Sequence, residues 1–224
     1  MELTKEQIQY IDHRLENEGV KYWDIRLEML DHVVLDVEKR LDLGGNFKNA
    51  VMNSFIFLGW DGNFEQLTKQ RLFSINSFVK KLYFLKIKNL FTKLKSLVFI
   101  ILFVTTYYIF YKYSSLKVYK LITLIILFTP IIFGIISYLL EFSKRGKSGH
   151  LTYSSFYIFF SFLILNGVIQ FVKPDGFIPV SKDTHLFVWF LITVLNTIFS
   201  FAGILVHLDT SEKIKNMELK LKSI

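Results

Sequence analysis

The stretch LITLIILFTPIIFGIISYLL, residues 121–140, decides the fold. It holds twenty residues without Asp, Glu, Lys, Arg or His. At 1.5 Å rise per residue a helix of that length crosses the roughly 30 Å hydrocarbon layer of a bilayer. Three further blocks, 96–111, 151–172 and 186–206, share its apolar, charge-free character. The expected fold class is therefore all-α, a four-helix transmembrane bundle over 96–207.

The flanks of these blocks carry unequal charge. Lys80, Lys81, Lys86, Lys88, Lys93 and Lys95 precede the first span, Lys144, Arg145 and Lys147 separate the second from the third, and Lys213, Lys215, Lys220 and Lys222 follow the fourth. The opposite side receives only Lys112, Lys117, Lys120, Lys173 and Lys182. Thirteen against five places both termini inside, on the cytoplasmic face. Residues 1–11 show no basic segment followed by an apolar one, so no cleavable secretory signal is expected. The chain has no cysteine, which excludes disulfides, thiolate metal sites and cysteine nucleophiles. Lys-, Phe- and Ile-rich usage fits a bacterium, and the expected location is the bacterial cytoplasmic (inner) membrane.

Residues 1–65 read as a small cytoplasmic three-helix domain. Thr4 and Gln7 form a capping box ahead of Ile8, Ile11 and Leu15, and Gly19 supplies the stop. Trp23, Leu27, Leu30, Val34, Val37 and Leu41 then recur at steps of three and four along one helix face, which Gly44 and Gly45 end. Asn46 caps a third helix with Phe47, Ala50, Val51, Phe55 and Leu58 on one side, before Gly59, Asp61, Gly62 and Asn63 break the chain.

The second of these helices reads RLEMLDHVVLDVE at residues 26–38 and is followed by a Gly-Gly turn and a helix ending in FLGW at 57–60. Over residues 3–72 this order resembles the HAAS-type α-helical domain at the N-terminus of bacterial membrane proteins that often accompany PadR-like transcriptional regulators. The resemblance implies a regulatory or partner-docking role and carries no catalytic residue onto this chain.

Charge reverses sharply after that domain. Residues 1–65 hold thirteen acidic and seven basic side chains, whereas 66–95 hold eight basic and none acidic. Ile75, Phe78, Val79 and Leu82 share a helical face in this connector, with Lys81, Lys88 and Lys95 seven residues apart. That is a basic amphipathic helix for an anionic lipid surface, each lysine contributing about 1 kcal/mol. A nucleic-acid arm would leave the interleaved large apolar side chains wet, so nucleic acid is not expected as a partner. The tail, 208–224, carries Ile214, Met217 and Leu221 among lysines and reads as a second surface-lying amphipathic helix.

Several constellations carry chemistry on paper. Glu28, His32 and Asp36 fall four apart on the second helix, a spacing that suits either a metal or a solvated charged face; with Arg26 and Asp31 they form a polar surface that fits partner docking. Glu141, His150, His207 and Asp209 all fall at cytoplasmic span ends, where a metal or proton site would need to converge. Asn166 and Asn196 lie inside spans 3 and 4 and seek interhelical hydrogen bonds worth about 0.6–2 kcal/mol. Pro130 is expected to kink span 2, and the tyrosines around 107–119 to form an interfacial belt. Phosphate loops, His-Glu-x-x-His and Gly-x-Ser-x-Gly are absent. The leading expectation is a non-catalytic membrane regulator or accessory subunit, with no cofactor, whose helical domain docks a protein partner. Its rivals are a small transporter and a membrane-embedded metal-dependent enzyme built on Glu141, His150 and His207.

Overall fold

The computed structural model describes residues 2–60 and 62–222; the turn residue Asp61 and the side chains of Lys220, Leu221 and Lys222 from the expected tail helix lie outside the described residues. The described residues are all-helical, as expected, running α1 (Lys5–Asn17), α2 (Trp23–Asp42), α3 (Phe47–Phe57), α4 (Phe64–Thr92), α5 (Leu94–Tyr113), α6 (Leu116–Arg145), α7 (Gly149–Phe171) and α8 (Lys182–Lys222). Four of them, α5 to α8, are long and apolar enough to cross a membrane. The chain divides into two compact units, 1–77 with 142–150, and 78–141 with 151–224.

In the smaller unit the local signals work as read. Thr4 Oγ1 accepts from the Gln7 amide and Gln7 Oε1 accepts from the Thr4 amide, closing the capping box on α1. Gly19 takes φ +99°, and the Val20 amide reaches back to the Leu15 carbonyl. Asn46 Oδ1 accepts from the Lys48 amide to start α3. The core of α2 is shifted from the predicted stripe: Ile25, Met29, Leu30, Val33 and Val37 are buried, whereas Trp23, Leu27, Val34 and Leu41 are half-buried at its margin. Because α2 packs against both α1 and α3, the line midway between them goes innermost, facing Ile11, Leu15, Val51 and Phe55.

The boundary also differs from residue 65. Buried Phe64 meets Phe55 edge-on at 5.5 Å, and the smaller unit takes in the first half of α4 together with the segment joining α6 to α7. The connector is one helix, α4, of 29 residues. It buries Ile75, Val79, Tyr83 and Leu90 and leaves Phe73, Phe78, Phe84 and Phe91 exposed beside Lys80, Lys81 and Lys88.

In the larger unit α7 is gripped by two glycines. A Cβ on Gly203 of α8 would stand 2.4 Å from the Tyr157 carbonyl oxygen, and one on Gly134 of α6 would stand 2.9 Å from the Phe159 ring. Hydrogen at Gly203 lets the α8 backbone approach that of α7, whereas hydrogen at Gly134 makes room for the Phe159 and Ile158 side chains. Tyr107 and Tyr119 do not join an interfacial belt; they are buried in a cluster with Phe190, and Tyr107 Oη lies 2.7 Å from Thr123 Oγ1. Pro130 is accommodated inside α6. The tail is not a separate surface helix: α8 continues without a break past Val206.

Candidate functional site

A heavily bonded polar group outside the apolar spans is one the stripe analysis passes over. Asp24, in the first turn of α2, is 3% exposed. Its Oδ1 accepts from the Gly149 amide at 3.0 Å and from the Ile25 amide at 3.1 Å. Its Oδ2 accepts from Ser148 Oγ at 2.8 Å and the His150 amide at 3.0 Å, and lies 2.8 Å from His150 Nδ1. A carboxylate acceptor requires that Nδ1 carry the proton. Next to it the Trp23 amide donates to the Lys147 carbonyl at 3.0 Å, and the Lys147 ammonium sits 4.7 Å from the centre of the Tyr22 ring.

The physical logic is a helix cap supplied from far away in sequence. Gly149 and His150 open α7, and their amides are among the donors that a helix leaves without an internal partner. A carboxylate there satisfies them and complements the positive end of the helix dipole. Burial by itself would raise the Asp24 pKa, but the bonds from His150, Gly149 and Ser148 together outweigh it and hold the carboxyl below its ordinary 3.8. Gly149 is small for a reason: a Cβ would press on Leu72 and Ile75 of α4 at 3.0 and 3.1 Å. With five donors on two oxygens, the carboxylate is saturated, and its role is to clasp.

The five docking candidates on α2 separate into two groups. Arg26 is largely buried and holds Asp12 at 2.8 Å and Glu16 at 2.9 Å, fastening α1 to α2. Glu28 pairs with Arg71 of α4 at 2.7 Å. Asp36 pairs with Arg40 at 2.6 Å, and the Arg40 guanidinium covers the Phe57 ring of α3. Asp31 and His32 are exposed. Glu28, His32 and Asp36 thus do not gather around one point, and among the described residues no group of three or more His, Asp or Glu side chains is disposed to hold a metal ion.

The span-end residues also have separate engagements. His150 belongs to the Asp24 clasp. His207 is fully buried in the larger unit, its Nε2 2.8 Å from Ser137 Oγ and its Nδ1 3.0 and 3.3 Å from Ser154 and Ser155 Oγ. Glu141 is half-buried and Asp209 pairs with Lys86. Asn196 is buried and accepts from Ser161 Oγ at 2.8 Å, whereas Asn166 is exposed and the two amides do not pair. Of the connector lysines, Lys80, Lys81, Lys88, Lys93 and Lys95 are exposed and Lys86 is half-buried.

No known family matches. Comparison with protein families, curated proteins and solved structures finds no counterpart of this chain.

What sequence reasoning missed is the acceptor for the start of α7. The Ser148 hydroxyl is given to a carboxylate 124 positions earlier. An acidic residue in the first turn of α2 looks like an ordinary response to that helix's own dipole. Gly203 and Ser161 carried no signal either, since close approach between helices leaves no mark in a single sequence.

Proposed function

We propose that this chain is a non-catalytic membrane regulatory or accessory subunit, in which α2 both presents a face to a protein partner and holds the first turn of α7. The observation that carries this reading is the Asp24 clasp, which joins the partner-facing helix to the start of an apolar spanning helix through four hydrogen-bonding contacts. A partner that shifts α2 would change the capping of the first turn of α7.

The outer surface of the small unit supports docking. Asp31 and His32 flank Leu35, which is 58% exposed, and α3 exposes Met52, Ile56 and Phe57. Large apolar side chains held in water next to charge are what interfaces are made of. The lysine and arginine bias supports a cytoplasmic location for this unit and for both termini, and the composition supports a bacterial inner membrane. The exposed phenylalanines and lysines of α4 suit the headgroup layer of an anionic bilayer. The HAAS-type resemblance points to the same regulatory role.

The test is a photo-crosslinking amino acid placed at Leu35 or Met52 in the full chain in living cells. One discrete adduct is expected at these positions, lost in Asp31→Lys with His32→Glu, and absent with the crosslinker at Lys69 on α4. Equal labelling at Lys69, or adducts indifferent to the double substitution, would overturn partner docking.

A further inference from the structure

Lys95 lines an open groove of about 550 Å³ in the larger unit. Helices α5 and α8 are packed together at one end, where the Tyr107 and Phe190 rings stack with centroids 5.3 Å apart. Towards the start of α5 a groove runs between them, walled by Leu90, Phe99, Phe103, Ile198, Phe201 and Leu205. Phe99 is 72% exposed, so the groove opens sideways, towards the hydrocarbon layer that α5 crosses. The volume falls within the range of about 300–1,000 Å³ usual for small-molecule sites.

One end of this groove differs chemically from the rest. Lys95 and Ser96 line it where α5 begins, next to Lys93, whose extended backbone separates α4 from α5. Lys88, Lys93 and Lys95 are all exposed, and no ion pair engages them among the described residues. The first turn of α5 contains no acidic residue and no side chain caps it, which leaves its positive end facing the same place. An occupant must therefore be apolar along most of its length and anionic at one end, with the anionic end at the depth where the helix meets the interface.

We infer that this groove binds one anionic phospholipid, with an acyl chain between α5 and α8 and its phosphate on Lys95. The inference rests on the reading of α5 to α8 as membrane spans. It goes beyond a generally basic surface, because it requires one lipid at one position, sensitive to the shape of the groove as well as to charge.

The full chain is reconstituted into vesicles of equal parts phosphatidylcholine and phosphatidylglycerol, extracted in mild detergent and weighed by native mass spectrometry. The expected species is a monomer carrying one phosphatidylglycerol in preference to phosphatidylcholine. Lys95→Gln should lower retention of the anionic lipid about fivefold, the equivalent of one lysine near a charged surface. Ile198→Trp, which fills the groove without altering charge, should abolish retention of both lipids. Because Ile198 is buried and its replacement risks misfolding, Phe99→Ser at the exposed wall serves as the second variant and should weaken retention in a chain that stays helical. Equal retention of the two lipids, unchanged retention in Lys95→Gln and Phe99→Ser, or a second copy of the chain in place of lipid would overturn the site. Failure of the chain to enter vesicles would defeat the membrane reading itself, whereas insertion without lipid preference would defeat only this groove.

Discussion

The two units of this protein treat polar side chains differently. The smaller one buries Ile11, Leu15, Ile25, Met29, Val33 and Val37 and pairs charges around them, Arg26 with Asp12 and Glu16, Arg71 with Glu28. The larger one buries Thr123, Ser154, Ser161, Asn196, Ser200 and His207, and exposes Val98, Ile101, Leu121, Ile125 and Leu163. Aliphatic side chains are core in both units, as Ile158 and Ile192 show in the larger one, but hydroxyl and amide groups enter the core chiefly in the larger. In water, burying aliphatic surface is the main driving force, about 25 cal/mol per Å². In lipid the tails are as apolar as the side chains, and helices are held by close packing and by hydroxyls and amides that find each other.

The Asp24 clasp should give the largest effect, in the smaller unit. Asp24→Ala removes the buried carboxylate to which the Ser148 hydroxyl and the Gly149 and His150 amides donate, a loss of about 3–5 kcal/mol from local stability. Hydrogen exchange in residues 146–152 of the full chain should accelerate correspondingly, while exchange near Gly203 stays as in the wild type. A spread of the effect through both units would break the comparison. The pH dependence sharpens it. The folded pKa of Asp24 lies below its ordinary value of 3.8, so its contribution is fully present above about pH 4 and lost as the pH falls further. Protection of α2 should fall with acid in the wild type and respond less in Asp24→Asn.

Next in size is the contact that only lipid-type packing needs. Gly203→Val drives a side chain into the Tyr157 and Ile158 backbone, costing about 1–3 kcal/mol and separating α7 from α8. A drop in the thermal midpoint in detergent, with the small unit's exchange unchanged, is the expected result. Asn196→Ala removes the acceptor of Ser161 and should cost about 0.6–2 kcal/mol by the same measurement, with Asn166→Ala nearly silent because that amide is exposed. The smallest effect is expected from Glu28→Gln, whose ion pair with Arg71 is partly solvated and worth about 0–1 kcal/mol. A larger loss there would mean that surface charge, rather than the clasp, secures the small unit.

Much of the fold was legible because it rests on local rules. Thr4 with Gln7, Gly19, Gly44 and Asn46 punctuate helices through bonds made within a few residues, and their chemistry is visible in the order of the chain. The candidate site was legible only in part. His150 was visible as a polar residue at a span end, and Arg26 and Asp36 as charged residues on α2. Asp36 has its partner Arg40 four residues on, within reach of a local rule, but the partners of His150 and Arg26, Asp24 and Asp12, were not visible, because a hydrogen bond across many residues has no periodicity to announce it.

By itself the sequence determined that the protein is helical, that four of its helices suit a bilayer, and where most helices begin and end, because these follow from side-chain solvation and from bonds between near neighbours. Tertiary structure alone decided which line of α2 became core, that Asp24 caps a helix opening at Gly149, that Gly203 meets the backbone at Tyr157, and that His207 lies among three serines. Those outcomes depend on which surfaces meet, and a buried polar group settles on a partner only when packing has removed the water that competed for it.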